Sequence, residues 1–334
     1  MKRKILIAAV FLLFVCFSSP VWGAAAYPDR AIKVLVGFPA GGPADVIGRG
    51  ILPVLQDKLG KGIAITNMPG AAGATAGAAV AQSPADGYTL FMGSETISVW
   101  QTMGISKDLS YKSFIPIKLV STAVPVLAVP PDSKFKSAQE FFNEAKANPG
   151  KLRIATAGPG TVPHASGILA GKVLGCQFTF VPYQGGAPAI TAVMGGQVDA
   201  TIEMIQSMAE AYKGGKLKIL ASFTNVPIPG LDIPPLGKIE AKFAPYLPYG
   251  PYFGVFAPKG TPDDIVKILT EKMDEAIKDK RWIEYTDRLY LPRIDYSGAA
   301  AEKYLEEWTS KSAWLFYEAG AAKANPADFG IRKP

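Results

Sequence analysis

The sequence predicts an α/β protein of two lobes set face to face as a clamshell, each lobe a mixed, mostly parallel sheet flanked by helices. Three features predict it. Strand and helix signals alternate from Ile32 onward, the alternation breaks at the proline-interrupted apolar stretch VSTAVPVLAVPPDS after Leu119, and it then starts afresh. After a proline-rich passage from Val226 to Pro251, one more strand and several helices return the chain to the first lobe. Successive strand, loop and helix units imply parallel pairing through right-handed crossovers. The expected lobes are residues 27–125 with 253–334, and residues 126–252, with a ligand cleft between them.

Ahead of the lobes, Lys2, Arg3 and Lys4 precede an apolar run from Ile5 to Phe17, followed by small residues and Pro20. This is the pattern of a secretory signal peptide over residues 1–26, cleaved after Gly23 or Ala26. The run is shorter than the roughly 20 residues that a membrane-spanning helix needs. Cys16 follows Phe14 and Val15, where a lipoprotein signal wants small residues.

In the first lobe, IKVLVGF (32–38) reads as a buried strand and the segment from Pro43 to Leu59 as the helix after it. Val46, Ile47, Ile51, Val54, Leu55 and Leu59 form its apolar stripe, Pro43 suits the first turn, and Gly60 ends it. Pro53 is expected to kink this helix, because it forfeits a bond to Arg49. A strand at Ile63–Asn67, a glycine-rich loop, an alanine-rich helix to about Gln82 and a strand at Tyr88–Ser94 follow. The stretch after Leu119 reads as an extended crossover to the second lobe.

The second lobe repeats the scheme with strands at Leu152–Gly158, Phe178–Tyr183, VDATIE and KLKILASF, and helices between them. YFGVFAPKGTPDDIVKILTEKMDEAIKD then supplies a strand and an amphipathic helix, with Thr261 expected as N-cap and Pro262 at the first helical position. Helices around Tyr304 and Trp308 close the first lobe.

Composition excludes several classes. Lys and Arg total 35 against 28 Asp and Glu, and loss of Lys2, Arg3 and Lys4 with the signal leaves about four excess positive charges. The basic residues are interspersed with acidic ones, as in EKMDEAIKDKRW, which is a solvated surface and no nucleic-acid stripe. Cys176 is the only cysteine after processing, so no internal disulfide forms and a hydrophobic core must supply the stability.

Three glycine-rich loops lie between a strand's end and a helix's start: FPAGGPADV from Phe38, PGAAGATAG from Pro69 and AGPGTVPHASG from Ala157. The first is no Walker loop, since Gly42-Pro43-Ala44 stands where Gly-Lys-Ser/Thr is required, and it lacks the G-x-G-x-x-G spacing of a dinucleotide fingerprint. A turn opening a helix still presents unpaired N–H groups and a partial positive charge, which suit a carboxylate as well as a phosphate. The bland alternative is a tight turn alone. Ligands of open α/β sheets bind at such strand ends, so the loops of two lobes can face each other over a small anion.

Enzyme readings are thinner. His164 is the only histidine; Cys176 is too far along the chain to meet it, and Ser166 falls on another helical face. There is no G-x-S-x-G elbow and no Cys/His cluster for a metal. No cofactor is expected.

The strings YPDRAIKVLVGFPAGGPADV, NMPGAAGATAG, SPADGYTL, AGPGTVPHASG, VPYQGGAPAITAVMGGQVDA and GVFAPKGTPDDIV resemble, in order and spacing, the motifs of the Bug/TctC family of periplasmic solute-binding proteins of tripartite tricarboxylate transporters. The resemblance spans essentially the whole mature chain. It implies the two-lobed type II periplasmic binding protein fold, a periplasmic location, a monomer, and membrane permease subunits as partners. It also implies a small organic carboxylate held by backbone amides and ordered waters: a di- or tricarboxylate, an acidic amino acid or an aromatic acid. Carried onto this chain, it points to Phe38, Ala40, Gly41 and Gly42 with Asp45 beside them, to Pro159, Gly160, Thr161 and His164 opposite, and to Ala74, Thr75, Ser94 and Glu95 completing the pocket. Tyr183, Gln184 and Glu203 are expected at the distal end, Glu203 either facing the cleft or capping the next helix. Pro43 departs from the Ser or Thr that often follows the glycine pair, and Glu203 from the Asp of many relatives. The alternatives are an extracytoplasmic carboxylate sensor feeding a histidine kinase, and a secreted hydrolase using His164.

Overall fold

The computed structural model describes residues 27–247 and 249–334. The expected signal peptide, residues 1–26, lies outside the described residues.

Two sheets form the two lobes. The first runs β11-β4-β10-β3-β1-β2, with β1 Ile32–Val36, β2 Ile63–Asn67, β3 Thr89–Ser94, β4 Phe114–Thr122, β10 Tyr252–Pro258 and β11 Arg293–Tyr296. The second runs β7-β6-β8-β5-β9, with β5 Pro125–Val129, β6 Arg153–Thr156, β7 Thr179–Pro182, β8 Ala200–Met204 and β9 Lys218–Ser222.

Helix α1 (Pro43–Leu59) has the expected bounds. Pro43 occupies its first turn and Gly60 ends it at φ 65°, a left-handed conformation that glycine adopts without strain. Ile47, Ile51, Leu52, Val54 and Leu55 are buried beneath it. Pro53 lies on the exposed face, inside a helix that continues through it as one element. Helix α2 covers Ala74–Ala81; in the second lobe α3 (Ala138–Ala147), α4 (Val162–Leu174), α5 (Gly186–Met194) and α6 (Ile205–Lys213) follow their strands, and α7 (Leu236–Ile239) and α9 (Lys280–Arg288) are shorter helices further along the chain.

Both sheets are mixed, as expected: β1 pairs in parallel with β2 and β3, and β10 runs antiparallel between β3 and β4. That strand arrives from the second lobe, not by a helical crossover, and so enters the sheet from the opposite end. In the second sheet β5 is likewise antiparallel to both β8 and β9. The apolar stretch after Leu119 is the end of one strand and the whole of another, with the crossing confined to Ala123 and Val124. Pro116 hides β4 from a propensity reading. It sits where the β10 pairing shifts register, at a position opposite Phe256 where a missing N–H is tolerated.

Helix α8 (Asp263–Ile277) also starts one residue later than expected, with Pro262 as N-cap. Thr261 does not cap it; its hydroxyl donates to the Pro258 carbonyl at 2.8 Å and closes the turn after β10. Lys118 of β4, 2 % exposed, pairs with Asp274 of α8 and Asp295 of β11, which tethers both elements to the sheet.

The long helix α10 (Gly298–Glu318) packs on the first lobe through buried Leu305, Ala313 and Phe316. It reaches the second as well: Glu318 pairs with Lys172 at 2.8 Å. The two chain crossings are themselves joined, since the Ala123 N–H donates to the Pro251 carbonyl at 3.2 Å. A Cβ on Gly250 would lie 2.2 Å from the Ala123 carbonyl oxygen, so glycine is required for this approach.

Candidate functional site

The sheets meet along a cleft lined from the first lobe by Phe38, Pro43, Ala44, Ser94, Glu95 and Phe253. From the second come Ala157, Thr161, Pro163, Gly186, Glu203 and Met204. The free volume between them is about 30 Å³, room for only a few waters at ~10–15 Å³ each. The lobes touch beside it, because a Cβ on Gly185 would stand 2.9 Å from the Pro39 ring and one on Gly160 3.1 Å from Met103. Val162, Ala165 and Met204 of the second lobe belong to the first lobe's apolar core.

Strand β1 ends at the loop Gly37–Gly42, whose shape is set by Asp45 in the first turn of α1. That carboxylate is buried and accepts from the Gly41 N–H at 2.9 Å, from Arg49 Nε at 2.9 Å and from Asn67 Nδ2 at 2.8 Å. Asn67 also donates to the Phe38 carbonyl at 3.0 Å. Burial opposes ionisation of Asp45, yet these bonds hold its carboxyl below the usual range. Asp45 therefore braces the loop and does not line the cleft. Within the loop, the Gly41 N–H is taken by Asp45, the Gly42 N–H donates to Pro39, and Pro43 has none. Ala44, in the first helical turn, lines the cleft in their place.

On the other side, Thr161 is the N-cap of α4 and lines the cleft, its hydroxyl donating to the Gly158 carbonyl at 2.7 Å. The Val162 N–H, in the first turn of α4, donates across the cleft to Glu95 Oε1 at 3.1 Å. Pro163 adds no donor. The N-terminus of α4 is thus partly filled by a carboxyl group of the opposite lobe, and the anion cradle is weaker on this side than its glycine-rich sequence implies.

Other expected residues are elsewhere. The His164 ring packs against Phe180 and Phe316, and Nδ1 accepts from the Gly160 N–H at 3.4 Å. Burial lowers its pKa to about 4, so it is neutral, and the Ser166 hydroxyl has no hydrogen-bond partner among the described residues, His164 included. Ala74 and Thr75 do not line the cleft: the second glycine-rich loop supports it instead through Gly73 beneath the Phe38 ring and the Ala72 carbonyl, which accepts from Trp100 Nε1 at 2.9 Å. Ala40, Pro159 and Gln184 are exposed and Tyr183 half-buried, none of them lining the cleft. The residue of the Tyr183 turn that does line it is Gly186.

Glu203 faces the cleft and caps nothing: it lies in β8, and α6 has no side-chain cap. It is fully buried, with Oε2 3.4 Å from the Met204 N–H and Oε1 without a partner among the described residues. Burial, and then the charge of Glu95, push its pKa up to about 8, while burial pushes Glu95 up to about 7. Among the described residues, no lysine, arginine or histidine lines the cleft. Phe253, Pro251 and Met204 were not anticipated. The two β10-side residues stand where the chain re-enters the first lobe, a position legible only once the antiparallel insertion is known.

Two sheets with helices on both faces, closing on a cleft at their strand ends, define a two-lobed α/β solute-binding protein. Residues 47–315 match the tripartite tricarboxylate transporter family receptor, TctC, and the chain belongs to that family, whose members are solute-binding receptors and not enzymes. It is 31% identical over 287 residues to Protein BugT of Bordetella pertussis, covering 85% of this chain and 87% of that one. Among solved structures, the periplasmic binding protein BugD matches with a TM-score of 0.82 at 28% identity, over 89% of this chain and 100% of that one. MatC from Rhodopseudomonas palustris, solved with bound malate, matches with a TM-score of 0.79 at 27% identity, over 86% and 99%. Among the described residues no helix is long and apolar enough to cross a membrane.

Proposed function

We propose that this chain is an exported periplasmic receptor that captures a small organic carboxylate between its lobes and delivers it to the membrane subunits of a tripartite transporter. The observation that carries the reading is the cleft at the N-terminus of α1, where Ala44 presents the first free turn of a helix toward Phe38, Ser94 and Thr161. The first N–H groups of a helix have no intrahelical partner and carry a partial positive charge, so they hold an anion without a charged side chain. Bound malate in MatC supports the same class of ligand here. Residues 27–125 with 253–334, and 126–252, act as the two jaws, and a solute enters when they part.

Family membership favours delivery to a transporter over signalling to a kinase. Thermal melting against a panel of organic acids tests the reading, since a ligand that binds only the folded chain raises Tm by mass action. Stabilisation by neutral sugars with none by any carboxylate would refute it.

A further inference from the structure

The carboxylate reading leaves open what else the solute carries, and the two glutamates bear on that question. Glu95 enters the cleft at the end of β3, and Glu203 enters from β8 of the other lobe. They are 4% and 0% exposed. One oxygen of Glu95 accepts the Val162 N–H; among the described residues Glu203 has a single long contact from Met204 and one oxygen with no partner. The other polar side chains lining the cleft are Ser94 and Thr161. Tyr249 and Tyr252, close enough to feel the Glu95 charge, are neutral phenols held well above their ordinary range by burial. His164 faces away into Phe180 and Phe316.

Buried acceptors without donors are costly, and native structures leave few of them. A second ligand carboxylate would add charge of the same sign, and an amine-free acid would leave the Glu203 oxygen bare. An ammonium group has three donors and no acceptor, which is what two facing carboxyl groups lack. Resting on the carboxylate reading, we propose that the solute is an amino-acid-like zwitterion, its carboxylate at the N-terminus of α1 and its protonated amine between Glu95 and Glu203. Its remaining atoms lie against Phe38, Phe253 and Met204. Without a cation the cleft favours the protonated acids, because burial raises both carboxyl groups. The arriving ammonium reverses that preference, so binding near neutral pH expels protons.

The test sets two matched probe series against the purified chain, by thermal melting and by calorimetry in buffers of different ionisation enthalpy. Glycine, alanine, valine, phenylalanine and aspartate form one series; acetate, propanoate, 3-methylbutanoate, 3-phenylpropanoate and succinate form the other. The expected result is a raised Tm with members of the amine-bearing series alone, accompanied by proton release. Glu203→Gln and Glu95→Gln each weaken that binding by about tenfold or more and diminish the release, with circular dichroism unchanged. An amine-free acid that binds as tightly as its amine-bearing counterpart overturns the proposal while leaving the carboxylate reading intact. If no member of either series binds, both fall. A Glu203-dependent rise in Tm with calcium or magnesium chloride alone also overturns it, by assigning the pair to a metal.

Discussion

The carboxyl group of Glu95 reaches across the cleft to the Val162 N–H at 3.1 Å, joining the end of a first-lobe strand to the start of a second-lobe helix. A hydrogen bond of this kind contributes roughly 0.5–1.5 kcal/mol. Glu95 is thus both a lining residue and a latch.

The latch predicts an unusual pH dependence. Glu95 and Glu203 have folded-state pKa values raised to about 7 and about 8 from an ordinary value of 4.5. The folded chain therefore binds more protons than the unfolded one above pH 4.5, and the contribution is full below that value and lost as pH rises through 7 to 8. Without added ligand, melting should be lower at pH 8 than at pH 5.5. On the scale of ~2–4 °C per kcal/mol, the expected fall is several degrees, and Glu203→Gln should flatten it. A wild-type profile already flat over this range would show that the pair does not titrate there.

The loop brace gives a second prediction. Asp45→Ala deprives the Gly41 N–H and Asn67 of an acceptor, and losing a buried partner costs about 1–3 kcal/mol. Urea unfolding should record that loss. Ligand affinity should fall too, although Asp45 does not line the cleft, and full affinity would mean that the loop shape is immaterial to binding.

Gly42→Asp separates stability from binding. Gly42 is the N-cap of α1 with φ −74° and ψ 165°, a conformation open to any residue. Aspartate is a favoured N-cap and accepts from N–H groups of the first turn. The variant should melt at or slightly above the wild type, yet bind carboxylates at least tenfold more weakly, because its side chain occupies the same donors. Isothermal titration beside a melting curve checks both halves.

How far these features are legible in the sequence depends on their range. The bounds of α1 follow from Pro43, an apolar stripe and Gly60, all within one helix length. The second lobe's alternation is equally local. The β10 insertion is not, because its direction is set by a return from the other lobe and nothing within YFGVFAP encodes it. The cleft lining divides in the same way: Phe38 and Ser94 lie at strand ends and Thr161 at a helix start, positions that a local pattern marks. Asp45 faces Arg49 four residues on, a brace visible in principle, but the glycine pair drew it toward the ligand. The Glu95–Val162 bond spans 67 residues, and no local pattern announces it.

A fourth prediction concerns the crossings. In Gly250→Ala the new methyl would meet the Ala123 carbonyl oxygen at 2.2 Å, backbone against which no side chain can yield. Forced accommodation of this kind costs typically ~1–3 kcal/mol. The variant should melt lower and show a broader spread of interlobe distances by single-molecule fluorescence transfer. An unaltered distribution would indicate that the crossings are not coupled.

Because the Ala123–Pro251 bond ties the crossings side by side, the lobes share a single line of attachment. Rotation about that line is the soft motion such a joint permits, and sliding is stiff. A receptor built this way converts the presence of a solute into one mechanical variable, the opening angle. On the proposed reading, the membrane subunits need gauge only that angle, whatever the chemistry enclosed.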